Sequence, residues 1–367
     1  MTVAGREQAI RDRFAGCLLG GAVGDALGAP VEFDSLGAIR RRFGSAGVTG
    51  YVRAYGRLGA VTDDTQMTLF TAEGLIRAEH RHRDRGLVNL DSALARAYQR
   101  WLSTQVDPDQ VPWDPDFGPG NRSGWLVANE FLRHRRAPGN TCVSALLAGP
   151  PPPGRRRSSP GPAIRADNAS KGCGGVMRVA PVGLVAGDPF DVGCRAAALT
   201  HGHPSGWLAA GAFADMIGSL RHGGALPAAV AQARAATAAH PDSSEVVGAL
   251  DSAVDLAAGP GPLTADAVES LGGGWVAEEA LAIAVCCALR ADSFTGGVLT
   301  AVNHGGDSDS TASMTGSLLG TTLGSPAIDA ALVADLEGSE VITQVAVDLY
   351  DGFVTGNPID WQRYPTW

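Results

Sequence analysis

Lysine is all but missing from this chain: of its 29 basic residues, only Lys171 is one. A bias spread over the whole length reflects coding composition more than chemistry, although arginine does suit phosphate recognition. Aromatic residues are scarce, at 6%. The six cysteines (Cys17, Cys142, Cys173, Cys194, Cys286 and Cys287) show neither a C-x-x-C pair nor a matched metal-ligand spacing. That argues against a zinc site or a disulfide framework and predicts small buried hydrophobes in a reducing compartment. No apolar run reaches the roughly 18 residues of a membrane span, and Met1 to Arg13 carries charges of both signs, unlike a signal peptide. Excess positive charge is absent too: the net charge of -9 argues against a general nucleic-acid-binding surface, while a local basic pocket is still allowed. A soluble cytoplasmic protein, monomeric and without a membrane partner, is the expectation.

What is present is small and apolar. With 45% hydrophobic residues, 18% charged residues and 49 glycines over 367 positions, the chain can bury a large core through closely packed helices. From Arg6 to Leu27, Ile10, Phe14, Cys17, Leu18 and Ala22 recur at helical spacing among Gly16, Gly20, Gly21 and Gly24. Each interior glycine costs about 1 kcal/mol relative to alanine, so close packing must compensate. Gly28 to Pro30 end that helix, and Glu32 follows between Val31 and Phe33, either an ordinary loop carboxylate or part of a site. Further helical patterns cover Thr65 to Ala78 with a Glu73/Arg77 pair, Leu90 to Leu102, Trp125 through Leu132, Trp207 to Leu220, Pro227 to Ala239, Ser243 to Ala258, Thr264 to Leu271, Gly274 to Leu289 and Ala312 to Leu319. No run alternates like a strand. The predicted fold is all-α, one domain over 1–367, with a mobile Pro/Arg-rich loop at 149–170.

Two acidic knots stand out from this background. Val61-Thr62-Asp63-Asp64-Thr65 sets two adjacent carboxylates between hydroxyls at a helix start. One Asp with one Thr makes a good cap; the second Asp is surplus, because neighbouring carboxylates repel unless a cation compensates. The other knot, Gly305-Gly306-Asp307-Ser308-Asp309-Ser310, also precedes a helical pattern. An EF-hand is excluded, since counting from Asp307 puts Ala312 and Leu318 where Gly and Glu are required. If the knots meet, four Asp carboxylates with the Thr62 and Ser310 hydroxyls suit two Mg²⁺ or Mn²⁺ ions. The plainer alternative is two acidic caps facing water. Elsewhere, Lys171 to Arg178 is a glycine-rich turn able to offer N–H groups to an anion, and His201 and His203 are a phosphate or sugar contact, a metal ligand or a helix cap. Glu279 is a candidate to support the site's carboxylates, with a helix ion pair as its default.

The stretches GCLLGGAVGDALGAPVEF (16–33), VTDDTQMTLF (61–70), KGCGGVMRVAPVGL (171–184), THGHP (200–204), GGGWVAEEALAIA (272–284) and NHGGDSDSTASMTGSLLG (303–320) resemble, in order, the ADP-ribosylglycohydrolase family. This is the group of dinitrogenase reductase-activating glycohydrolase and the animal ADP-ribosylhydrolases. The resemblance implies a compact orthogonal helical bundle with a dinuclear Mg²⁺ or Mn²⁺ cleft, and hydrolysis of ADP-ribosyl conjugates to release ADP-ribose. By it, Thr62, Asp63, Asp64, Asp307, Asp309 and Ser310 are metal ligands, Ser310 replacing a common threonine. Glu32 becomes a mobile acid, and Glu32, Asp63, Asp64 and Asp307 form the catalytic set. Gly174, Gly175, Val176 and Met177 line the diphosphate with His201 nearby, and Asn121, Ser123 and Gly124 belong to a ribose-side loop. The implied partner is ADP-ribosylated protein, arginine-linked by the likeness of TDDTQMTLFTAEGLIRA to the bacterial branch. Serine-linked, acetyl and nucleic-acid conjugates are the alternatives within the class. Outside it stand a catalytically silent ADP-ribose binder and a two-metal phosphoesterase.

Overall fold

The glycines of the first helix find their purpose in a seam where two backbones touch. The computed structural model describes residues 2–86, 88–113, 122–149 and 161–365. Asn121 and residues 150–160 of the expected loop lie outside them. The described residues form seventeen α-helices and no strand. In order these are α1 (Val3–Gly28), α2 (Leu36–Phe43), α3 (Asp63–Arg85), α4 (Leu90–Gln105), α5 (Trp125–Ala128), α6 (Asn140–Leu147), α7 (Ala180–Val185), α8 (Pro189–Ala198) and α9 (Pro204–Arg221). Then follow α10 (Leu226–Ala238), α11 (Ser244–Ala258), α12 (Ala265–Glu269), α13 (Ala277–Leu289), α14 (Phe294–Val302), α15 (Ser308–Leu323), α16 (Ala330–Asp335) and α17 (Ser339–Tyr350).

Helices α1 and α15 run antiparallel with a constant four-residue step. A Cβ on Gly16 would lie 2.2 Å from the Gly320 oxygen, on Gly20 2.4 Å from that of Gly316, on Gly24 2.0 Å from that of Ala312, and on Gly28 2.4 Å from that of Ser308. Residues four apart share one helix face, so four glycines make a ridge that no side chain could replace. The near end of this seam is also functional ground: Gly28 touches Asp309, and Glu32 follows within one turn.

Other helices shelter the seam. Helix α17 packs on α1 through Phe14 and Tyr350, whose rings meet edge to face with centroids 5.6 Å apart. Helices α13 and α14 flank α15, while α9 gathers α7, α8 and α10, and α3 pairs with α4. Their buried apolar side chains form one continuous cluster.

The pattern-based helix boundaries fall short at several ends, and two of them have a local cause. Glu79 to Arg85 prolong α3 rather than leave it, because Gly86, in the left-handed region at φ 72°, closes the helix and the basic last turn suits its C-terminal dipole. The helix expected from Trp125 through Leu132 instead breaks at Asn129 into α5 and a 3₁₀ turn, Glu130–Arg133. No described helix is long and apolar enough to cross a membrane.

The seam predicts an asymmetry between glycines. Gly320→Ala, whose Cβ would lie 1.9 Å from the Gly16 oxygen, should destabilise by about 3 kcal/mol through overpacking against backbone. Gly248→Ala, on α11 with open space around it, should stabilise by roughly 0.5–1 kcal/mol. Thermal unfolding of the two variants beside the parent checks both signs.

Candidate metal centre

Thr62 begins α3 in extended backbone, and its hydroxyl accepts weakly from the Asp64 amide at 3.4 Å. What fixes this start is a residue the motif reading missed. Asp25 of α1, fully buried, accepts from the Thr62 amide at 3.0 and 3.1 Å, from the Thr62 hydroxyl at 2.8 Å, and from the Thr65 amide and hydroxyl at 3.1 and 2.5 Å. One carboxylate thus organises the first turn of another helix. The available signal was that Asp25 is the only charged residue between Arg13 and Glu32.

The second knot opens α15. The Asp307 amide donates to Gly273 O at 2.8 Å, Ser310 N to Asp309 Oδ1 at 2.9 Å, and the Ser310 hydroxyl to Asp64 Oδ2 at 3.3 Å. The two acidic motifs therefore meet, across 246 positions of sequence. Glu32 joins them: one carboxylate oxygen from each of Glu32, Asp307 and Asp309 lies within 4.8 Å of the others. Asp63 Oδ2 takes the Gly139 amide at 3.2 Å, and the Cys173 thiol donates to Asp307 Oδ2 at 2.7 Å. Cys173 is thus not the inert buried hydrophobe its spacing suggested.

Burial, and then repulsion from Asp309, raises the other carboxyls of the group. Asp25 rises to about 7 and Glu32 to about 11, while Asp63, Asp64 and Asp307 stand well above the ordinary Asp range. Asp309 is raised by burial and held back by hydrogen bonds from Asp307, Ser310 and Thr62. Glu32 Oε2 and Asp64 Oδ1 are buried without a hydrogen-bond partner. The carboxylate and hydroxyl donors are hard oxygens, with the Cys173 thiol hydrogen-bonded beside them, and among the described residues no Lys or Arg lines the cleft to balance their charge. The oxygen set fits divalent cations of the Mg²⁺ or Mn²⁺ kind.

The cleft has a volume of about 450 Å³; its walls bring Glu32, Asp63, Asp64, Asp307 and Ser310 together with Gly174, Met177, Cys142 and His201, and the Ser310 hydroxyl lies 3.8 Å from the Met177 sulfur. Thr62 and Asp309 are buried and do not line it. His201 is buried, pairs through Nδ1 with the Thr200 hydroxyl at 2.8 Å, and is lowered to about 3 by burial and then by Arg178, so it is neutral. Arg178 in turn donates to Thr200 Oγ1 at 2.7 Å and lies 4.1 Å over the Tyr98 ring. His203 turns out to be the cap of α9.

Part of the expected substrate wall is placed elsewhere. Val176 is fully buried and, like Met177, gives its amide to Cys173 O, at 2.9 and 3.1 Å, so neither offers a free backbone donor. Gly175 packs against His201 and does not line the cleft. Ser123 and Gly124 are also off the cleft wall: the Ser123 carbonyl accepts from Arg77, and Gly124 at φ 155° lies against the buried Glu73/Arg77/Arg100 ion cluster. Glu279 makes no helix ion pair; its Oε2 takes the Gly273 and Gly274 amides at 3.0 and 3.2 Å and so fixes the loop that receives Asp307. Its neighbour Glu278, with Glu245, holds Lys171. Unforeseen on the wall are Asn140 and Thr141, which open α6, and the backbone of Gly139.

Comparison with known proteins agrees with this architecture. The profile of a family described as ADP-ribosylglycohydrolase matches residues 6–358. An uncharacterized protein of Archaeoglobus fulgidus is 26% identical over 356 residues, 93% of this chain and 97% of its own. The ADP-ribosyl-[dinitrogen reductase] glycohydrolase of Rhodospirillum rubrum is 43% identical over 67 residues, 18% of this chain and 23% of its own. A solved structure described as an ADP-ribosylglycohydrolase-related protein complex shares the fold, with a TM-score of 0.63 and 24% identity over 95% of this chain and all of its own.

A pH signature follows from the raised carboxyls. In EDTA, folded Asp25 keeps its proton up to about pH 7, whereas the unfolded chain releases it near pH 4. The folded state binds more protons within that window, so the contribution of Asp25 to stability is fully present below about pH 4 and is lost as pH rises towards 7, by about 1.4 kcal/mol per pH unit for one proton. Mn²⁺ should raise the melting temperature most near pH 7 to 8 and least near pH 5, where protons compete for the same oxygens. Melting curves with and without Mn²⁺ that coincide at every pH would contradict a cation site here.

Proposed function

The chain belongs to the ADP-ribosylglycohydrolase family, and we propose that it is a Mg²⁺- or Mn²⁺-dependent hydrolase that releases ADP-ribose from arginine-linked ADP-ribosylated protein. Membership makes it a glycohydrolase of ADP-ribosyl conjugates. The metal dependence and the arginine linkage are our own reading. The observation that carries the reading is the meeting of the two acidic knots with Glu32 in one cleft.

Thr62, Asp63, Asp64, Asp307, Asp309 and Ser310 would hold two cations, which supply Lewis-acid polarisation and a template for ribose hydroxyls and a water. Asp25 keeps Thr62 in place by accepting a hydrogen bond from its hydroxyl, which leaves the oxygen's lone pairs for the Asp64 amide and a cation. Glu32, on the turn after α1 and raised well above the ordinary carboxyl range, is suited to hold a proton and pass it to the departing nitrogen. Asp63 and Asp64 would orient the water against the anomeric carbon, and their charge would favour an oxocarbenium-like transition state. The turn at Gly174 and neutral His201 receive the diphosphate, with a proton retained on one ring nitrogen as a donor. The same cluster could serve a two-metal phosphoesterase, but no observation favours that reading.

A panel of arginine-, serine-, acetyl- and nucleic-acid-linked ADP-ribose incubated with Mg²⁺ or Mn²⁺ tests the proposal, with free ADP-ribose as the readout. Arginine conjugates should turn over, and Asp307→Ala combined with Asp309→Ala should lower kcat/KM by at least about a thousandfold. Persistent, metal-independent hydrolysis in that double variant would refute the dinuclear reading. Release of AMP or phosphate would replace the reaction class, and binding of ADP-ribose without turnover of any conjugate would make the protein a silent binder.

A further inference from the structure

A second groove, of about 660 Å³, lies beside the cleft, and its walls include Tyr55, Arg57, Glu130, Arg135, Arg136 and Glu337. Arg136 is its inner anchor. It donates to Glu337 and, at 2.8 Å, to the carbonyl of Val61, the residue before Thr62. The chain then runs directly into Ala137 to Gly139, which line the cleft and reach Asp63. The ridge between groove and cleft is locally strained: Tyr55 at φ 51° and Ala137 at φ 49° are the only described non-glycine residues with positive φ. Tyr55 faces the groove and Ala137 the cleft. Such backbone persists where the surroundings over-determine it, commonly at functional surfaces.

The groove carries cationic capacity in a chain of net charge -9. Glu337 is shared by two guanidinium groups, those of Arg136 and of Arg57, the latter at 3.1 Å. Arg135 is exposed; it donates to the Gln105 carbonyl at 3.2 Å and pairs with no carboxylate among the described residues. The exposed Arg53 and Arg133 stand close by in sequence and also donate only to carbonyls among the described residues. Tyr55 lies 5.4 Å from the Arg136 guanidinium carbon, whose nitrogen reaches the Val61 carbonyl beside Thr62. The groove therefore adjoins the Thr62–Asp63 motif of the cleft, beside the carboxylates where the glycosidic bond would be cleaved.

We propose that this groove binds an acidic segment of the carrier protein beside its ADP-ribosylated residue, a proposal that rests on the reading of the cleft as an ADP-ribosyl site. A carboxylate needs one well-presented guanidinium, which Arg135 supplies, and the phenol of Tyr55 offers a flat wall for the adjoining chain. A phosphate backbone is a poorer match, because Glu130 and Glu337 interrupt the positive wall that a polyanion would track.

The test compares three substrates: an ADP-ribosyl-arginine peptide flanked by Asp and Glu, the same peptide flanked by Ser and Gly, and free ADP-ribosyl-arginine. The wild type should favour the acidic peptide over the neutral one by about fivefold in kcat/KM, a preference lost in Arg135→Glu and near about 0.5 M salt but kept in Arg135→Lys. All three proteins should hydrolyse free ADP-ribosyl-arginine equally. Equal use of both peptides by the wild type overturns the proposal, as does an Arg135-dependent preference for an ADP-ribosylated oligonucleotide. If no arginine conjugate turns over, the catalytic reading fails separately, and fluorescence anisotropy with the unmodified acidic peptide decides the groove. A Kd raised about fivefold or more by Arg135→Glu supports it, and an unchanged Kd overturns it.

Discussion

The backbone contact between α1 and α15 is the constraint on which the rest of the molecule hangs. Four glycines at a four-residue step bring two helices closer than any side chain would permit. Because the seam is antiparallel, its ends are fixed together: the C-terminus of α1 must lie at the N-terminus of α15. That single registration delivers Asp25, Glu32, Asp307 and Asp309 to one place. A slip of one step, about 6 Å along the helix, would leave the carboxylates without one another.

What the seam assembles is electrostatically unfavourable in isolation. Six buried carboxyls crowd a site whose described lining contains no Lys or Arg; burial drives each towards its protonated form, and for all but Asp309 the neighbouring carboxylates add to it. Asp25 is the exception in kind, since four hydrogen-bonding groups from Thr62 and Thr65 compensate it. Glu32, Asp63, Asp64 and Asp307 face the cleft, with Glu32 Oε2 and Asp64 Oδ1 left without a partner. A fold that buries apolar surface as extensively as this one can carry such a defect, and functional sites are where defects of that kind collect.

The sequence was legible where chemistry is local. The helical class follows from periodicity without alternation, and the surplus Asp at position 64 and the D-x-D at 307–309 mark themselves, because no cap needs so much charge. Glu73 and Arg77 were readable as a pair, but not as a fully buried cluster with Arg100, since that depends on α4 lying across α3. Asp25 stayed hidden because its role is to accept from a helix start 37 positions away. The ends of α3 and the break at Asn129 depended on one glycine's left-handed backbone and on a turn that periodicity averages over. Ser123 and Gly124 look like a ligand loop in sequence, yet Arg77 claims the Ser123 carbonyl from behind.

Lys171 gives the scarcity of lysine a consequence of its own. The chain's only ε-ammonium is held by Glu245 and Glu278, about a third exposed, two positions before the cleft-lining Cys173. Amine-directed acylation or conjugation of a side chain thus has a single address, at the shoulder of the glycine-rich turn. Neutralising that one nitrogen would release two glutamates from their common counter-ion and add their charge to the cleft's border, so a covalent mark there would be felt as a change of field.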